Sequence, residues 1–398
     1  MKRRDFLKTA AAAAGTLAAK EALVPATASA HDRDHEPEAP PPPHLTWQLW
    51  SRHLQWVSTQ AQTVSDPYGV GVLVGQYALQ SGYSAVGLTV RNGGHVQPEN
   101  AATHLPPMLR GIRSTGCLCN HIGATDINPP VDPADTTWID TQLVHEVVAV
   151  AAHNGIERYR SGNRSFTNNI FGDAMEAQLD VLRANYLRLA RINRHYGLNA
   201  LYHTQTSIGV TVWEFLRVLQ GSLQDCDDGK WGRDRHRDGH RFDDGDDDPI
   251  SPFLVGVNFA IGHVGREMPI AGWQTALRFA MPHVRGLALH GPQINRNATT
   301  GQLQNITVPA AQSHINFTTL FSLLRQGGYN GASEAQIEHS IVGANGTTVS
   351  LNNAFFADNA QFTSGNLTPA IMVAAMKGEV DFYKSQATAA GWTADQMT

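Results

Sequence analysis

Imidazole and carboxylate side chains stand at or just after the ends of several strand-like segments of this sequence. Glu338 closes one such segment, and Gln336 shares its face because residues two apart in a strand project the same way. These groups bind divalent metals and move protons. If the segments are parallel neighbours, we expect Glu338, His203 and His263 to be catalytic. We also expect zinc, manganese or iron to be bound by Glu338, His203, His263 and His290.

Eight short runs, each bounded by turn residues, are predicted to be strands. The runs are Thr46–Trp50, Ala85–Val90, Cys117–His121, Ile156–Arg160, Leu198–His203, Phe253–Phe259, Arg285–His290 and Ala332–Glu338. Amphipathic helical stretches lie between them, which predicts parallel units with right-handed crossovers. Eight such units close most simply into an α/β fold of the (β/α)8 type, a single TIM barrel. The alternative is an open doubly wound sheet, but no glycine-rich phosphate motif follows Trp50, so we expect no nucleotide cofactor.

The N-terminal segment has the features of an export signal. Arg3 and Arg4 lie in a basic stretch, a small-residue run follows, and Ala28-Ser29-Ala30 suits a signal peptidase. Residues 1–30 are therefore predicted to be a twin-arginine signal peptide and residues 31–44 a proline-rich linker, with the barrel spanning 45–392. We expect the twin-arginine machinery to deliver a periplasmic or secreted protein with no stable membrane span after cleavage. The alternative is an ordinary amphipathic N-terminal helix.

Two polar insertions interrupt the predicted barrel. Residues 225–249 are almost entirely charged residues and glycine, and we expect a disordered, solvated loop on the face opposite the site. The alternative is a cation site, with calcium at the aspartates of 243–248 or a transition metal at His236 and His240. Residues 342–367 are rich in Asn, Gly and Thr and follow the eighth strand, so they are predicted to form a lid or rim on the catalytic face.

Charge and cysteine content narrow the classes of function. The formal net charge of −5 argues against general nucleic-acid binding. The cysteine count is three, and an odd number implies no disulfide framework. Cys117 and Cys119 are predicted to be unpaired and packed in the barrel wall, and Cys226 to be unpaired in the charged insertion.

Three motifs resemble a known group of proteins. They are Ser51-Arg52-His53-Leu54-Gln55-Trp56, the run Gly87 to Val96 (GLTVRNGGHV), and Ala124-Thr125-Asp126-Ile127. They resemble the exported sugar phosphate isomerase/epimerase-like proteins of the xylose-isomerase-like barrel superfamily, and the resemblance covers nearly all of residues 45–392. It implies a divalent metal at the strand ends and proton transfer next to a carbonyl.

The resemblance also implies a substrate site. Arg160, in Tyr159-Arg160-Ser161-Gly162, would bind a phosphate, a carboxylate or a sugar hydroxyl, and Trp50 could flank a sugar ring. The substrate-binding residues expected in all are Arg160, His95, Asp126, Gln336 and Trp50. The sequence departs from the group's pattern at strand ends where acids or a histidine are usual, namely at Gln205, Ala260, His290-Gly291 and Gln336.

Two functional hypotheses follow. The first is a sugar isomerase or epimerase outside the cytoplasm, acting on a small unphosphorylated carbohydrate or an oxidised derivative. The second is a non-catalytic barrel that binds a carbohydrate or a partner, because the departures remove much of the charge that would hold a metal. A DNA-repair enzyme like endonuclease IV, from the same superfamily, is disfavoured because it needs a denser set of metal ligands.

Overall fold

The computed structural model describes residues 42–135, 137–141, 143–167, 170–205, 207–221, 250–269, 271–351 and 356–398. These residues belong to one compact unit. The predicted signal peptide, most of the predicted linker and the charged insertion 225–249 with Cys226 lie outside the described residues. Within the described ranges, no helix is both long and apolar enough to cross a membrane.

Eight parallel strands close into a barrel, which confirms the predicted fold and excludes the open sheet. In chain order the barrel strands are His44–Trp50, Ala85–Thr89, Leu118–Gly123, Arg158–Ser161, Asn199–His203, Val255–Ala260, Val284–Leu289 and Asn330–Ala335. The first strand pairs with both the second and the eighth, which completes the ring. All eight observed strands overlap the eight predicted runs.

The ends of the barrel differ from the prediction in two places. The backbone N–H of His44 donates to the carbonyl of Tyr329 at 3.0 Å, so the last residue of the predicted linker belongs to the first strand. The eighth strand ends at Ala335, three residues earlier than predicted. Gln336 and Glu338 therefore lie in the loop after the strand, where the N–H of Glu338 donates to the carbonyl of Gln336 at 3.1 Å. Strand alternation alone does not fix the direction of Glu338.

Helices alternate with the strands and bury apolar faces against the barrel. The α-helices are Gln60–Ser65, Pro67–Gln80, Ala101–Ser114, Trp138–Thr141, Val144–His153, Asp173–Tyr196, Trp213–Gln220, Ile261–Glu267, Gly272–Ala280, Phe317–Gln326, Ala360–Thr363 and Pro369–Ala389. Several begin with the side chain of a capping residue accepting a backbone N–H, as Asp66 and Thr368 do. Both of those residues precede a proline in the first turn, where its missing N–H costs nothing.

The core is continuous between the barrel wall and the surrounding helices. Trp47 points outward from the first strand and packs edge-on against Phe321, with ring centroids 5.8 Å apart. Cys117 and Cys119 are buried and unpaired, as the sequence predicts. A buried apolar surface of this extent holds the strands in register without a disulfide.

Two loops rise from the carboxyl ends of the seventh and eighth strands. A hairpin, Gly291–Arg296 with Leu303–Val308, follows the seventh strand and was not predicted from the sequence. A smaller hairpin, Ser340–Val342 with Thr348–Ser350, follows the eighth strand within the predicted rim region. We call these the first and second rim hairpins.

Glu379, on the C-terminal helix Pro369–Ala389, contacts a residue next to each of the two rim hairpins. Its Oε1 lies 2.9 Å from Nε2 of His339, just before the second rim hairpin. The same carboxylate accepts the backbone N–H of Ala310, just after the first, at 3.1 Å. Glu379 and His339 are both buried, so water does not screen these contacts.

Replacing Glu379 with alanine is expected to lower the free energy of unfolding by about 3 kcal/mol, because it leaves an N–H and an imidazole buried without a partner. Urea unfolding followed by circular dichroism measures the change. Asp381→Ala is the matched control: Asp381 lies on the same helix, but its ion pair with Lys377 is half exposed, so the loss should be at most about 1 kcal/mol. Equal losses in the two variants would contradict the role of Glu379.

Candidate functional site

A polar pocket of about 260 Å³ opens at the carboxyl ends of the strands, where TIM barrels carry their active sites. Six of the residues expected to form the site line it: Trp50, Asp126, Arg160, His203, Gln336 and Glu338. Two arginines that the sequence did not single out as site residues, Arg52 and Arg91, line it as well. The pocket is small, which suits a ligand of a few polar atoms rather than a long chain.

A buried ion pair forms the floor below this pocket. Nη1 of Arg160 donates to Oε1 of Glu334 at 3.0 Å, and the two side chains are 3 % and 1 % exposed. The carboxylate also accepts from Nε2 of Gln336 at 2.9 Å and from Nε2 of Gln48 at 3.1 Å. Burial lowers the pKa of Arg160, and the charge of Glu334 opposes that shift. The acid is therefore fully engaged in holding its neighbours.

A glycine makes room for this pair. A Cβ atom at position 87 would lie 2.6 Å from Nε2 of Gln48 and 2.6 Å from Oε2 of Glu334, closer than side chains tolerate. Gly87 thus allows the second strand to approach the polar floor. On the other side of Gln48, its Nε2 lies 2.8 Å from Nδ1 of His121, which extends the network across the barrel.

Glu334 is the functional residue that sequence reasoning missed. It lies within the predicted strand, two residues before Gln336, so the alternation that selected Gln336 and Glu338 selects Glu334 too. The signal was therefore present in the pattern. Its partner Arg160 is 174 positions away in the sequence, and no local sequence feature predicts that contact.

Trp50 contacts arginines on the pocket wall. The guanidinium carbon of Arg160 lies 4.4 Å from the centroid of the Trp50 ring, and that of Arg52 lies 5.3 Å away. Both separations fall within the range of cation–π attraction. Trp50 lines the pocket as expected of a residue that flanks a sugar, and it also orients two of the cationic side chains around it.

The second feature of the mouth is a group of metal-ligand side chains. One ligand atom from each of His263, His290 and Glu338 lies within 4.8 Å of the others. The fourth residue expected there, His203, lies alongside, with its ring centroid 5.5 Å from that of His263. The structure thus brings together three of the four predicted ligands and places the fourth next to them. We call His263, His290 and Glu338 the imidazole–carboxylate group.

The two histidines of this group have ring nitrogens that could bind a metal ion. Within the described part of the chain, both ring nitrogens of His290 and Nε2 of His263 are buried without a hydrogen-bond partner. Burial lowers the pKa of His290 to about 3, and burial together with the neighbouring His290 lowers the pKa of His263. Both rings are neutral near pH 7, the state in which imidazole binds a metal.

Gly262 fixes the place of the His290 ring. A Cβ atom at position 262 would lie 1.8 Å from Cδ2 of His290, so any larger residue must displace that ring. The donor set of two imidazoles and one carboxylate is found in zinc enzymes and in non-haem iron sites. The buried, unpartnered nitrogens and this donor set together fit a divalent transition metal.

Two further candidates occupy different positions. Asp126 lines the pocket, and its carboxylate accepts the backbone N–H of Asn92 at 2.6 Å. His95 is buried behind the pocket wall, with Nδ1 3.1 Å from Oγ1 of Thr89 and 3.2 Å from Oγ of Ser51. The structure does not bring His95 to the pocket surface, so its contacts are those of a residue that supports the second strand.

His53 supports the loop that carries Glu338. Its Nε2 accepts the backbone N–H of Ile337 at 2.9 Å, which requires an unprotonated nitrogen. Burial, followed by the charge of Arg52, lowers the pKa of His53 to about 3, so the ring remains neutral and able to accept. The loop between Gln336 and Glu338 is therefore fixed from the first strand's side.

Comparison with known proteins gives the fold. No family model matches the chain, and no curated protein matches its sequence. Solved structures do match: a xylose isomerase-like TIM barrel protein from Mycobacterium smegmatis in complex with magnesium (12 % identity, TM-score 0.53) covers 87 % of this chain and 98 % of its own. This chain has a xylose-isomerase-like barrel.

Two sugar epimerases share the xylose-isomerase-like barrel. An L-ribulose 3-epimerase is 13 % identical with a TM-score of 0.52, covering 87 % of this chain and 95 % of its own. A D-allulose 3-epimerase from Methylomonas sp., in complex with D-allulose, is 13 % identical with a TM-score of 0.50, covering 87 % and 98 %. Identities this low establish the shared architecture, and the chemistry of this xylose-isomerase-like barrel must be argued from its own residues.

The free energy of unfolding of this barrel is expected to fall as the pH drops below about 6.5. His121 and His95, whose pKa values burial lowers to about 3 and about 4, stay neutral in the folded state while the unfolded chain takes up protons. Each histidine adds a slope of up to about 1.4 kcal/mol per pH unit until the pH reaches its folded value.

Urea unfolding between pH 7 and pH 4.5 measures that slope. His121→Gln should flatten it, whereas replacing the exposed His145 should leave it unchanged. A stability that does not vary with pH over this range, or that rises as the pH falls, would show that these rings are not held neutral.

Proposed function

We propose that this protein is a metal-assisted isomerase or epimerase that moves a proton next to the carbonyl of a sugar or an oxidised sugar derivative. The observation that carries the proposal is the convergence of His263, His290 and Glu338 within 4.8 Å beside a polar pocket that Glu338 also lines. These residues come from different strand ends, so their proximity is a product of the fold. A bound metal ion and a substrate in the pocket would both contact Glu338.

The imidazole–carboxylate group would hold zinc, manganese or iron. Such an ion acts as a Lewis acid that polarises a carbonyl or hydroxyl oxygen. His263 and His290 contribute neutral nitrogens, and Glu338 contributes the single negative charge. The two imidazole nitrogen donors favour transition metals over magnesium, which prefers oxygen ligands.

His203 is the best placed group to accept a proton. It lines the pocket, and its Nδ1 is buried without a hydrogen-bond partner among the described residues. Burial and then the nearby Arg160 lower its pKa, so the ring is neutral and free to act as a base. Glu338 faces the same pocket as the carboxyl partner, whereas Glu334 is committed to Arg160.

The remaining polar groups orient the substrate. Arg160 is immobilised by Glu334 and by the face of Trp50, and Gln336 is held by the same carboxylate. Side chains fixed in this way can position a hydroxy-carbonyl unit without losing conformational entropy on binding. The carboxylate of Asp126 supplies an acceptor for sugar hydroxyls on the pocket wall.

Relatives in fold support a small sugar as the substrate class. The L-ribulose and D-allulose 3-epimerases are named for monosaccharides, and the Mycobacterium smegmatis barrel holds magnesium. The competing proposal is a carbohydrate-binding barrel without catalysis. It is favoured by Ala260, a buried alanine at the sixth strand end where the sequence resemblance implies an aspartate.

Metal analysis of the purified protein decides between the two. We expect about one equivalent of transition metal by mass spectrometry, reduced at least about tenfold in Glu338→Ala and in His290→Ala, since each removes one of three ligands. His145→Ala is the control, because it removes an exposed histidine elsewhere. Full metal content in both ligand variants, or no metal with sugar binding unaffected by chelator, would reject metal assistance.

Gly262→Ala gives a second test that leaves every ligand in place. The added methyl group must push the His290 ring aside, so metal content should fall while the fold measured by circular dichroism remains. Gly378→Ala, at a helical glycine with open space around its Cβ, is the matched control. Exchange of the sugar α-proton with deuterated solvent, followed by NMR, then reports whether proton transfer accompanies metal binding.

We further propose that the chain is exported by the twin-arginine pathway and acts outside the cytoplasm. The support is the sequence alone: Arg3-Arg4, the small-residue run and the Ala28-Ser29-Ala30 site. Replacing both arginines with lysine should leave the uncleaved protein in the cytoplasm, as cell fractionation and N-terminal sequencing would show. Normal export of that variant would remove the proposal.

A further inference from the structure

We propose that the pocket takes a sugar carrying a negatively charged group, either a carboxylate or a phosphate, and that Arg52 and Arg91 bind that group. The inference rests on the proposed function for the remainder of the site and names its substrate class. It is carried by two arginines on the pocket wall that have no ion-pair partner among the described residues.

The three guanidinium groups of the pocket differ in their partners. Arg160 has the buried carboxylate of Glu334 at 3.0 Å. Among the described residues, neither Arg52 nor Arg91 forms an ion pair, although both are partly buried. Arg91 makes one long hydrogen bond, from Nε to the carbonyl of Asn92 at 3.4 Å. Two cations at the pocket are therefore without an ion-pair partner among the described residues.

Neither acid that lines the pocket forms an ion pair with Arg52 or Arg91. Glu338 belongs to the imidazole–carboxylate group, and Asp126 is bound by the backbone N–H of Asn92. A metal ion at the imidazole–carboxylate group would consume the charge of Glu338 and add positive charge of its own.

The cations also act on one another. Burial is the largest influence lowering the pKa of Arg52, followed by the charge of Arg91, with Glu338 opposing and Arg160 adding to the effect. A bound anion would relieve this repulsion, whereas a neutral sugar would exclude water from both guanidinium groups and return only hydroxyl contacts. Guanidinium forks match the planar oxygens of carboxylates and phosphates.

Titration calorimetry with three sugars of the same ring tests the inference directly. D-glucuronate and D-glucose 6-phosphate should bind at least about tenfold more tightly than D-glucose, since hydrogen bonds to charged groups are worth about 1.5–3 kcal/mol. The preference should shrink as the salt concentration rises. A stronger signal for glucuronate identifies a carboxylate as the natural group, and one for the phosphate ester identifies a phosphate.

Arginine variants assign the preference to the proposed residues. Arg91→Gln and Arg52→Gln should each lower the ratio of charged-sugar affinity to glucose affinity at least about fivefold, and Arg91→Lys should retain part of that ratio. Arg110→Gln is the control, because it removes an exposed positive charge from the helix Ala101–Ser114. Loss of glucose binding together with anion binding in the glutamine variants would overturn the assignment.

Failure of the inference and failure of the proposed function give different results. Equal affinity for all three sugars, or no binding by any of them, overturns the anionic substrate class whatever the metal content. An anion preference that depends on Arg52 and Arg91 upholds it even if the protein binds no metal and exchanges no proton. In that case the isomerase proposal fails alone, and the protein is a receptor for sugar anions.

Discussion

The buried ion pair between Arg160 and Glu334 is the constraint on which the candidate site depends. Removing two charges from water is costly, and a buried pair survives only when further hydrogen bonds satisfy it. Gln48 and Gln336 supply those bonds, and Gly87 supplies the space. Apolar residues in place of a buried ion pair often give a protein of equal or greater stability. We therefore expect this network to matter for geometry, because it holds Arg160 and the amide of Gln336 rigidly at the base of the pocket.

That commitment determines which groups remain for chemistry. The Glu334 carboxylate accepts hydrogen bonds from three donors, Arg160, Gln48 and Gln336, so its oxygens are occupied by contacts within the protein. In the proposed reaction, proton transfer falls to groups above the floor, where His203 is neutral and Glu338 adjoins two neutral imidazoles. Glu334 thus has a structural role, whereas Glu338, four residues later in the chain, has the reactive role in the proposal. The environment of each acid, rather than its residue type, accounts for the difference.

The sequence predicts the fold well because the elements of a (β/α)8 barrel each have a local sequence signal. Short strands, amphipathic helices and turn residues alternate regularly along the chain. The strand-end histidines and Glu338 were found by the same route, since parallel strands deliver their last residues to one mouth. Arg52 and Arg91 were not singled out, because the sequence does not show whether a carboxylate pairs with them in the fold. The first rim hairpin was also missed, because its strand residues are largely exposed and carry no apolar alternation.

Two of the proposed metal-ligand residues, His290 and Glu338, lie in loops, and contacts from outside the site fix the segments that follow them. Glu379 fastens the segments that follow His290 and Glu338, and His53 accepts the N–H of Ile337 between Gln336 and Glu338. Two of the three ligands are thus positioned by residues from the C-terminal helix and from the turn after the first strand. Because metal affinity depends on such outer contacts nearly as much as on the ligands, the departures from the usual acidic pattern need not abolish a metal site. The ligand atoms of His263, His290 and Glu338 still lie within 4.8 Å of one another despite these departures.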